Sequence, residues 1–576
     1  MKNKTDELWL THFEKSGKIS SPDYTETMEY FSNFERYSRY AKMKTFGYSA
    51  QGRELKVLVV AKDNDFTPKQ AKRNGKGIIL VQNGIHPGEI EGKDAWMMLL
   101  REILISKEKE KLLDNVVILL IPILNVDGHE RTSEYNRPNQ NGPVNMGWRT
   151  TSTNLNLNRD YLKADTPEMK SLLKLFSQWL PDFIIDNHTT NGADYQYHIT
   201  YGIERHQNIN SRLADWSENK LMPYLLSKVE GDGFLTAPYV ETKTGNLFDG
   251  IIAWAAPPRL STGYSAAQNR VCLLVETHSL KPFENRVYST KSMNTAVLEF
   301  ISKHVKELKL LNRNSDKNVV KEYASAKNAF PLGFEGKPDF ELMKFKGFES
   351  FTDESDITGN GVIRYTDIPT EFNIPFYNQV EVTKRIDVPA CYVIPKQFKE
   401  IIRISKLHGI KVHQIKDDAA LNLQKYKFVE HEFAPRPYEG RLMVSVKCNS
   451  FSEKVNVEKG SYLIFTNQRT LKVIVNLFEP EGIDSFVSWG FFNAFFERKE
   501  YAEAYVFEPI AKQMLKDDKG LEIEFNDLLG KDESFRNDPY RRLDFFYTRS
   551  KYFDSGEKVY PIFRCFDKSI KKLVKL

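Results

Sequence analysis

With 576 residues, of which 41% are hydrophobic, 28% charged and 12% aromatic, the chain has a globular composition and is too long for one ordinary compact domain. That balance excludes a disordered, collagenous or coiled-coil molecule. The 82 basic residues stand against 77 acidic ones, a net charge of only +5, which supplies no electrostatic footprint for nucleic acid.

Cys272, Cys391, Cys448 and Cys565 are far apart and form no C-x-x-C pair, so they describe neither a disulfide framework nor a cysteine zinc site. Each reads as a small buried residue. The longest apolar run, Val116 to Leu124, is less than half a membrane span. The opening MKNKTDELWL has no signal-type apolar stretch, so the expectation is a cytoplasmic chain without membrane attachment. The Lys-rich end, Lys568 to Lys575, reads as a solvated terminus.

In chain order, residues 6 to 43 read as a helical lead-in, and no fixed-period repeat follows. Lys56 to Ala61, Gly77 to Gln82 and Val116 to Ile123 are β-rich apolar runs, with a helix predicted over Lys93 to Ser106 between the last two. Phe183 to Asn187 and Val271 to Val275 are further short runs ending in polar residues. Nearly continuous apolar strands are buried on both faces of a central α/β sheet, where chemistry gathers just past the strand ends. The polar stretch from Asn312 is the first candidate boundary. Beyond it, Ala390 to His413 reads strand, helix over Gln397 to His408, strand. Leu442 to Val446 and Tyr462 to Thr466 are strands, and aromatic helices, including Phe492 to Phe507, follow Asp484.

The polar clusters of the first half each follow an apolar run. In IILVQNGIHPGEIEG, His86 and Glu89 are three residues apart in a turn opening a helix, a spacing that can bring an imidazole and a carboxylate onto one metal ion. The same spacing at His304 and Glu307 lies within a helical stretch and reads as a helix face. His188, in LPDFIIDNHTT, is either a satisfied strand-end residue or a third ligand; two histidines and one glutamate leave a fourth zinc position open for water. Glu276 follows five apolar residues and is either a partnered buried group or a functional one, able to take a proton from water and return it to a leaving amine. Arg149, and Asn158 beside Arg159, present guanidinium and amide donors suited to a carboxylate, or form surface salt bridges.

Taken together these clusters resemble the zinc carboxypeptidases of the carboxypeptidase A type. The matched motifs, in the family's order, are H-P-G-E at His86 to Glu89, N-V-D-G at Asn125 to Gly128 and W-R at Trp148 and Arg149. They continue with N-L-N-R at Asn156 to Arg159, N-H at Asn187 and His188, and V-E-T at Val275 to Thr277. The resemblance implies a mixed, mainly parallel sheet sandwiched by helices and one Zn²⁺ per chain on His86, Glu89 and His188. It further implies Arg149 as oxyanion stabiliser, Asn158 and Arg159 as a clamp for a peptide's terminal carboxylate, and Glu276 as general base and acid. The family's substrate-closing tyrosine is missing from IIAWAAPP, Ile251 to Pro258; the nearest is Tyr264, which either substitutes from a rearranged loop or packs locally.

The expected organisation is a catalytic domain over 1–311 with its lead-in to about residue 43, a linker over 312–330, and a C-terminal α+β extension over 331–576. That extension is expected as a strand-rich part, 331–483, and a helical part, 484–576. It is similar to extensions on some bacterial members and reads as structural or substrate-restricting; His431 between Glu430 and Glu432 reads as a solvated edge. The expected activity is a zinc metallocarboxypeptidase acting on peptide or protein C-termini. The alternatives are a zinc amidase or deacylase on small acylated amino acids, and a catalytically silent peptide-binding homologue.

Overall fold

The computed structural model describes residues 7–324 and 328–574, so the first six residues of the opening stretch, part of the expected linker, and Lys575 of the basic tail lie outside the described residues. Nine strands belong to the first half: β1 (Ala41–Tyr48), β2 (Glu54–Val60), β3 (Gly77–Gln82), β4 (Val116–Ile121), β5 (Phe183–Thr190), β6 (Ile199–Gly202), β7 (Thr236–Pro238), β8 (Ile251–Ile252) and β9 (Val271–His278). All but β8 form one sheet in the order β1-β2-β4-β3-β5-β9-β6-β7. Its centre, β4-β3-β5-β9, is parallel, as is the β6–β7 pair, while β1–β2, β2–β4 and β9–β6 are antiparallel, so the sheet is mixed and mainly parallel, as expected.

The central strands are buried along their whole length, and alternate residues serve opposite faces. Ile79 and Val81 point to one side, where the helices Glu91–Leu104 and Phe283–Tyr323 cover the sheet with Trp96, Leu100, Met293, Val297 and Ile301. Ile78 and Leu80 point to the other, onto the helix Pro167–Trp179. That second face continues into the C-terminal half, where Tyr392, Ile402, Ile474 and Phe478 belong to the same apolar cluster. The halves therefore share one core.

The 41-residue helix Phe283–Tyr323 carries most of the polar stretch expected as a linker. Its last turns bury Leu308, Asn312, Ser315 and Val319, a stripe at four-, three- and four-residue spacing that polar composition concealed. Asn312 Nδ2 donates to the Asp182 carbonyl at 3.0 Å, so even the polar members of the stripe are partnered.

Ten strands follow: β10 (Phe330–Gly336), β11 (Glu341–Glu354), β12 (Gly361–Tyr377), β13 (Val380–Ile386), β14 (Cys391–Ile394), β15 (His413–Gln414), β16 (Ala419–Phe433), β17 (Val444–Val457), β18 (Tyr462–Phe465) and β19 (Phe563–Cys565). The long hairpin β11–β12 adds a strand to β8 of the first half, with Phe376 opposite Ile251. Six others form a sheet ordered β15-β18-β14-β19-β16-β17. The predicted helix over Phe492 to Phe507 is instead a short 3₁₀ turn, Asn493–Phe496, and a helix starting at Ala504, because Phe492 and Phe496 are drawn into the shared core. Nor is the last stretch purely helical: β19 returns to pair with β14, placing Cys565 opposite Cys391. Among the described residues no helix is long and apolar enough to cross a membrane.

Candidate metal centre

The carboxyl end of β3 delivers the first cluster. The Glu89 amide donates to the His86 carbonyl at 2.9 Å, closing the H-P-G-E turn. Gly88 is needed there, since a Cβ would lie 2.1 Å from Arg137 Cδ; its absence lets Arg137 cross the backbone and place Nη1 3.0 Å from Glu89 Oε1. From the neighbouring parallel strands, His188 on β5 and Glu276 on β9 are direct register partners, so two residues 88 apart in sequence meet on one sheet edge.

Glu89 is the hub. Its Oε2 lies 3.2 Å from His86 Nδ1 and 2.9 Å from His188 Nδ1 and accepts the Thr189 amide at 3.2 Å. Its Oε1 lies 3.1 Å from Arg149 Nη1. One donor atom from each of His86, Glu89 and His188 falls within 4.8 Å of the others, and all three residues are buried. The opposite ring nitrogens are held from behind: His86 Nε2 by Asn156 Oδ1 at 3.0 Å, and His188 Nε2 by Asp186 Oδ2 at 3.0 Å. Imidazoles fixed through one nitrogen, with the other turned toward a shared carboxylate, have the donor set and outer support of a zinc site.

The electrostatics of the cluster follow from its burial and its crowded charges. Burial lowers the His86 pKa to about 4, and the charge on Arg149 adds to the effect against the pull of Glu89. For Glu89 burial acts upward, yet His86, Arg137 and His188 hold the carboxyl well below its ordinary range. Burial would depress His188, but Asp186 and Glu89 raise it well above its usual value. Glu276 is pushed up to about 8, first by burial and then by the negative charges of Glu89 and Asp186, against His188 and Arg149. Such a carboxyl can hold or release a proton near neutrality.

N-V-D-G is a scaffold for Arg149. Asn125 caps the helix Val126–Glu130 through the Gly128 amide at 3.0 Å, and the Gly128 carbonyl accepts the Trp148 amide at 2.8 Å. Asp127 is fixed by Arg53 at 2.8 Å and Ser49 at 2.7 Å. Asn158 lines a cavity of about 280 Å³ whose walls include Tyr239, Ile203, Glu204, Leu274 and Phe376. Arg159, in the same 3₁₀ turn, donates Nε to the Tyr438 hydroxyl at 3.0 Å and Nη1 to the Asn158 carbonyl at 2.7 Å.

Tyr264 is a correction. It is 1% exposed, its hydroxyl meets His408 Nδ1 at 3.0 Å and accepts from Gln268 at 2.8 Å, and its ring packs on Tyr161 and Phe176. It sits in the helix Ser261–Ala267 facing the shared core, because a seven-residue helix packed under β9 leaves no loop there to swing. Two tyrosines line the cavity, Tyr201 on β6 and Tyr239 just past β7; the Tyr239 ring is edge-on to Trp254 at 5.8 Å and its hydroxyl pKa is raised by burial and by Glu276.

His304 and Glu307 share a helix face. His278 stacks on Tyr195 at 3.9 Å and faces Asp194. The sequence reading missed Asp186, Asn156, Arg137, Tyr239 and Glu204. Only Asp186 left a local signal, an acid two residues before His188 on the same strand face. Arg137 and Tyr239 arrive from irregular loops whose course no periodicity encodes.

The two histidines and the glutamate form a group that could hold a metal ion, at the edge of an α/β sheet. Residues 27–300 match the family model described as zinc carboxypeptidase. Carboxypeptidase 2 of Trichophyton rubrum is 22% identical over 494 residues, covering 82% of this chain and 85% of that protein, so the likeness runs well past the family match. A metallo-carboxypeptidase from Pseudomonas aeruginosa (18% identity, 50% of this chain, 70% of that chain, TM-score 0.38) is a structural neighbour. So is carboxypeptidase A from Helicoverpa armigera (14%, 50%, 74%, TM-score 0.38). The family is one of zinc-dependent peptidases.

Proposed function

We propose that the protein is a zinc metallocarboxypeptidase that hydrolyses the last peptide bond of a substrate with Glu276 as general base. The observation that carries this is the meeting of His86, Glu89 and His188 on one edge, with Glu276 in register beside His188 and Arg149 on the same carboxylate. Zinc held by these three side chains supplies Lewis-acid chemistry toward the scissile carbonyl.

The chain's own groups do the rest. Asn158 and Arg159 receive the anionic terminus, which sets the scissile bond one residue inward. Arg149 places a guanidinium beside the position where negative charge develops on the carbonyl oxygen. The Glu276 carboxylate removes the proton of the attacking water and passes it to the departing amine, and its raised affinity for protons suits both transfers. Asp186 and Asn156 hold the histidine rings from turning.

Incubating the full chain with a mixed peptide library and following products by mass spectrometry tests this. Loss of single C-terminal residues, stopped by a chelator and restored by zinc, is expected. Cleavage of small acylated amino acids with no release from peptides would favour the deacylase instead.

A further inference from the structure

We propose that the cavity beside Asn158 receives the side chain of the substrate's terminal residue and that Glu204 selects a cationic one, lysine or arginine. This rests on the carboxypeptidase reading of the centre and adds to it the chemical class of residue removed.

Glu204 follows β6, the strand paired antiparallel to β9, with Thr200 opposite Glu276, so the same ladder that fixes the general base also fixes this residue. It is 7% exposed and lines the cavity. Its Oε2 accepts the Ala256 amide at 3.2 Å and the Asn208 side-chain amide, and the Thr262 hydroxyl adds a third neutral donor. Among the described residues no basic group forms an ion pair with it. Glu91, Glu479 and Asp484 do have one, facing Arg286 at 2.6 Å, Arg564 at 3.1 Å and Arg259 at 2.6 Å; Asp94 and Glu168 are buried without one too, but neither lines the cavity. A buried carboxylate left to neutral donors is costly, and a site that faces a cavity can be completed by a ligand.

The other charges on the wall cancel. Arg205 Nη1 lies 3.5 Å from Glu218 Oε1, and its Nη2 donates to the Asn378 carbonyl. Burial, with Arg205 adding to it, lowers His206 to about 4, leaving it neutral at pH 7. One uncompensated acid remains. The rest of the wall, including Ile203, Met222, Pro238 and Leu274, is apolar and suits the methylene stem of a long basic side chain whose charged head reaches the carboxylate. Burial raises the Glu204 pKa, and a bound cation would hold the group ionised.

The test uses the zinc-loaded full chain and peptides of one sequence ending in Arg, Lys, Leu, Phe or Glu. The expected result is a kcat/KM for the Arg and Lys peptides at least about tenfold above that for Leu, the scale of a charge-assisted hydrogen bond. Glu204→Gln should cut that ratio by about tenfold, chiefly through KM. Equal or better release of Leu, Phe or Glu by the wild type overturns the inference while the carboxypeptidase reading stands, and so does a ratio that Glu204→Gln leaves unchanged. Should the Gln variant fail to fold, the wild-type ratio decides, and Glu204→Asp, which keeps the charge, is expected to retain the order of preference. Release from none of the peptides would defeat the carboxypeptidase reading and this inference with it.

Discussion

Glu276 in the first half and Glu479 in the second are both buried carboxylates, and their surroundings differ in kind. Glu479 accepts hydrogen bonds from Tyr392 at 2.5 Å and Tyr426 at 2.9 Å and lies 3.1 Å from Arg564 Nε. Glu276 has no side-chain donor among the described residues and faces the charges of Glu89, Asp186 and His188. The chain itself completes Glu479, which is what a structural carboxylate requires. Glu276 has no such completion among the described residues, while the two imidazole nitrogens aimed at Glu89 share its single Oε2. Glu479 is thus balanced by groups of its own half, whereas Glu276 is left among like charges at the strand ends of the first.

The largest test of this contrast is Glu276→Gln. Turnover should fall by about 10²–10⁴-fold, the usual contribution of a general base, with zinc per chain unchanged by metal analysis. Thermal stability should hold, since at neutral pH the amide replaces a carboxyl that burial, Glu89 and Asp186 already favour protonated. Retained turnover would remove the functional reading of that side chain.

The opposite outcome is expected of Arg564→Ala. It leaves Glu479 buried without its cation, and loss of one partner from a buried pair costs about 3–5 kcal/mol. Denaturant unfolding should show that loss, with kcat per folded molecule unaltered because Arg564 lies in the β14-β19-β16 sheet and contributes nothing to the metal centre. A selective fall in kcat without destabilisation would break the comparison.

His408 carries the pH dependence of the packing between the halves. Its Nε2 meets the Leu162 carbonyl at 3.0 Å and its Nδ1 the Tyr264 hydroxyl. Burial lowers its pKa to about 4, against about 6.5 in an unfolded chain. The unfolded state therefore binds the extra proton first. The contribution is fully present above about pH 6.5 and is lost as pH falls toward 4, about 3 kcal/mol over that window. His86 and His129 shift similarly, so the measurement is a difference: wild type should lose about that much more stability than His408→Asn between pH 7 and 4. Parallel curves would mean that His408 is not held neutral in the fold.

The central sheet and the cluster of His86, Glu89 and His188 at its edge were readable because both rest on local signals. An apolar run of five or six residues followed by a polar one marks a buried strand and its chemical end, as at Gly77–Gln82 and Val271–Glu276. Tyr264 was misread because choosing the nearest tyrosine by sequence distance says nothing about which side of a helix faces the site. The end of the helix Phe283–Tyr323 was missed because its buried face is partly polar, with Asn312 and Ser315 bonded or packed rather than apolar. Glu204 and Tyr438 gain their roles from partners far off in sequence, which only the closed fold supplies.

Tyr438 is also where the contrast between the halves can be sharpened by its smallest effect. The β16–β17 hairpin tip reaches the proposed clamp: the Tyr438 hydroxyl accepts from Arg159 Nε, and Glu439 Oε2 accepts the Asn156 amide at 2.8 Å. Asn156 in turn holds His86 Nε2. Arg441 anchors the tip to Asp165 with two hydrogen bonds of 2.7 and 2.6 Å. Tyr438→Phe deletes one hydrogen bond to a guanidinium whose orientation the clamp depends on, without opening a cavity. The expected change is a KM about three- to tenfold higher for peptides with a free terminal carboxylate and little change in kcat or thermal midpoint, since the residue is 37% exposed. A change in kcat alone would put Tyr438 at the reacting bond instead of the carboxylate. No change in either constant would mean that the second half grips the first without tuning it.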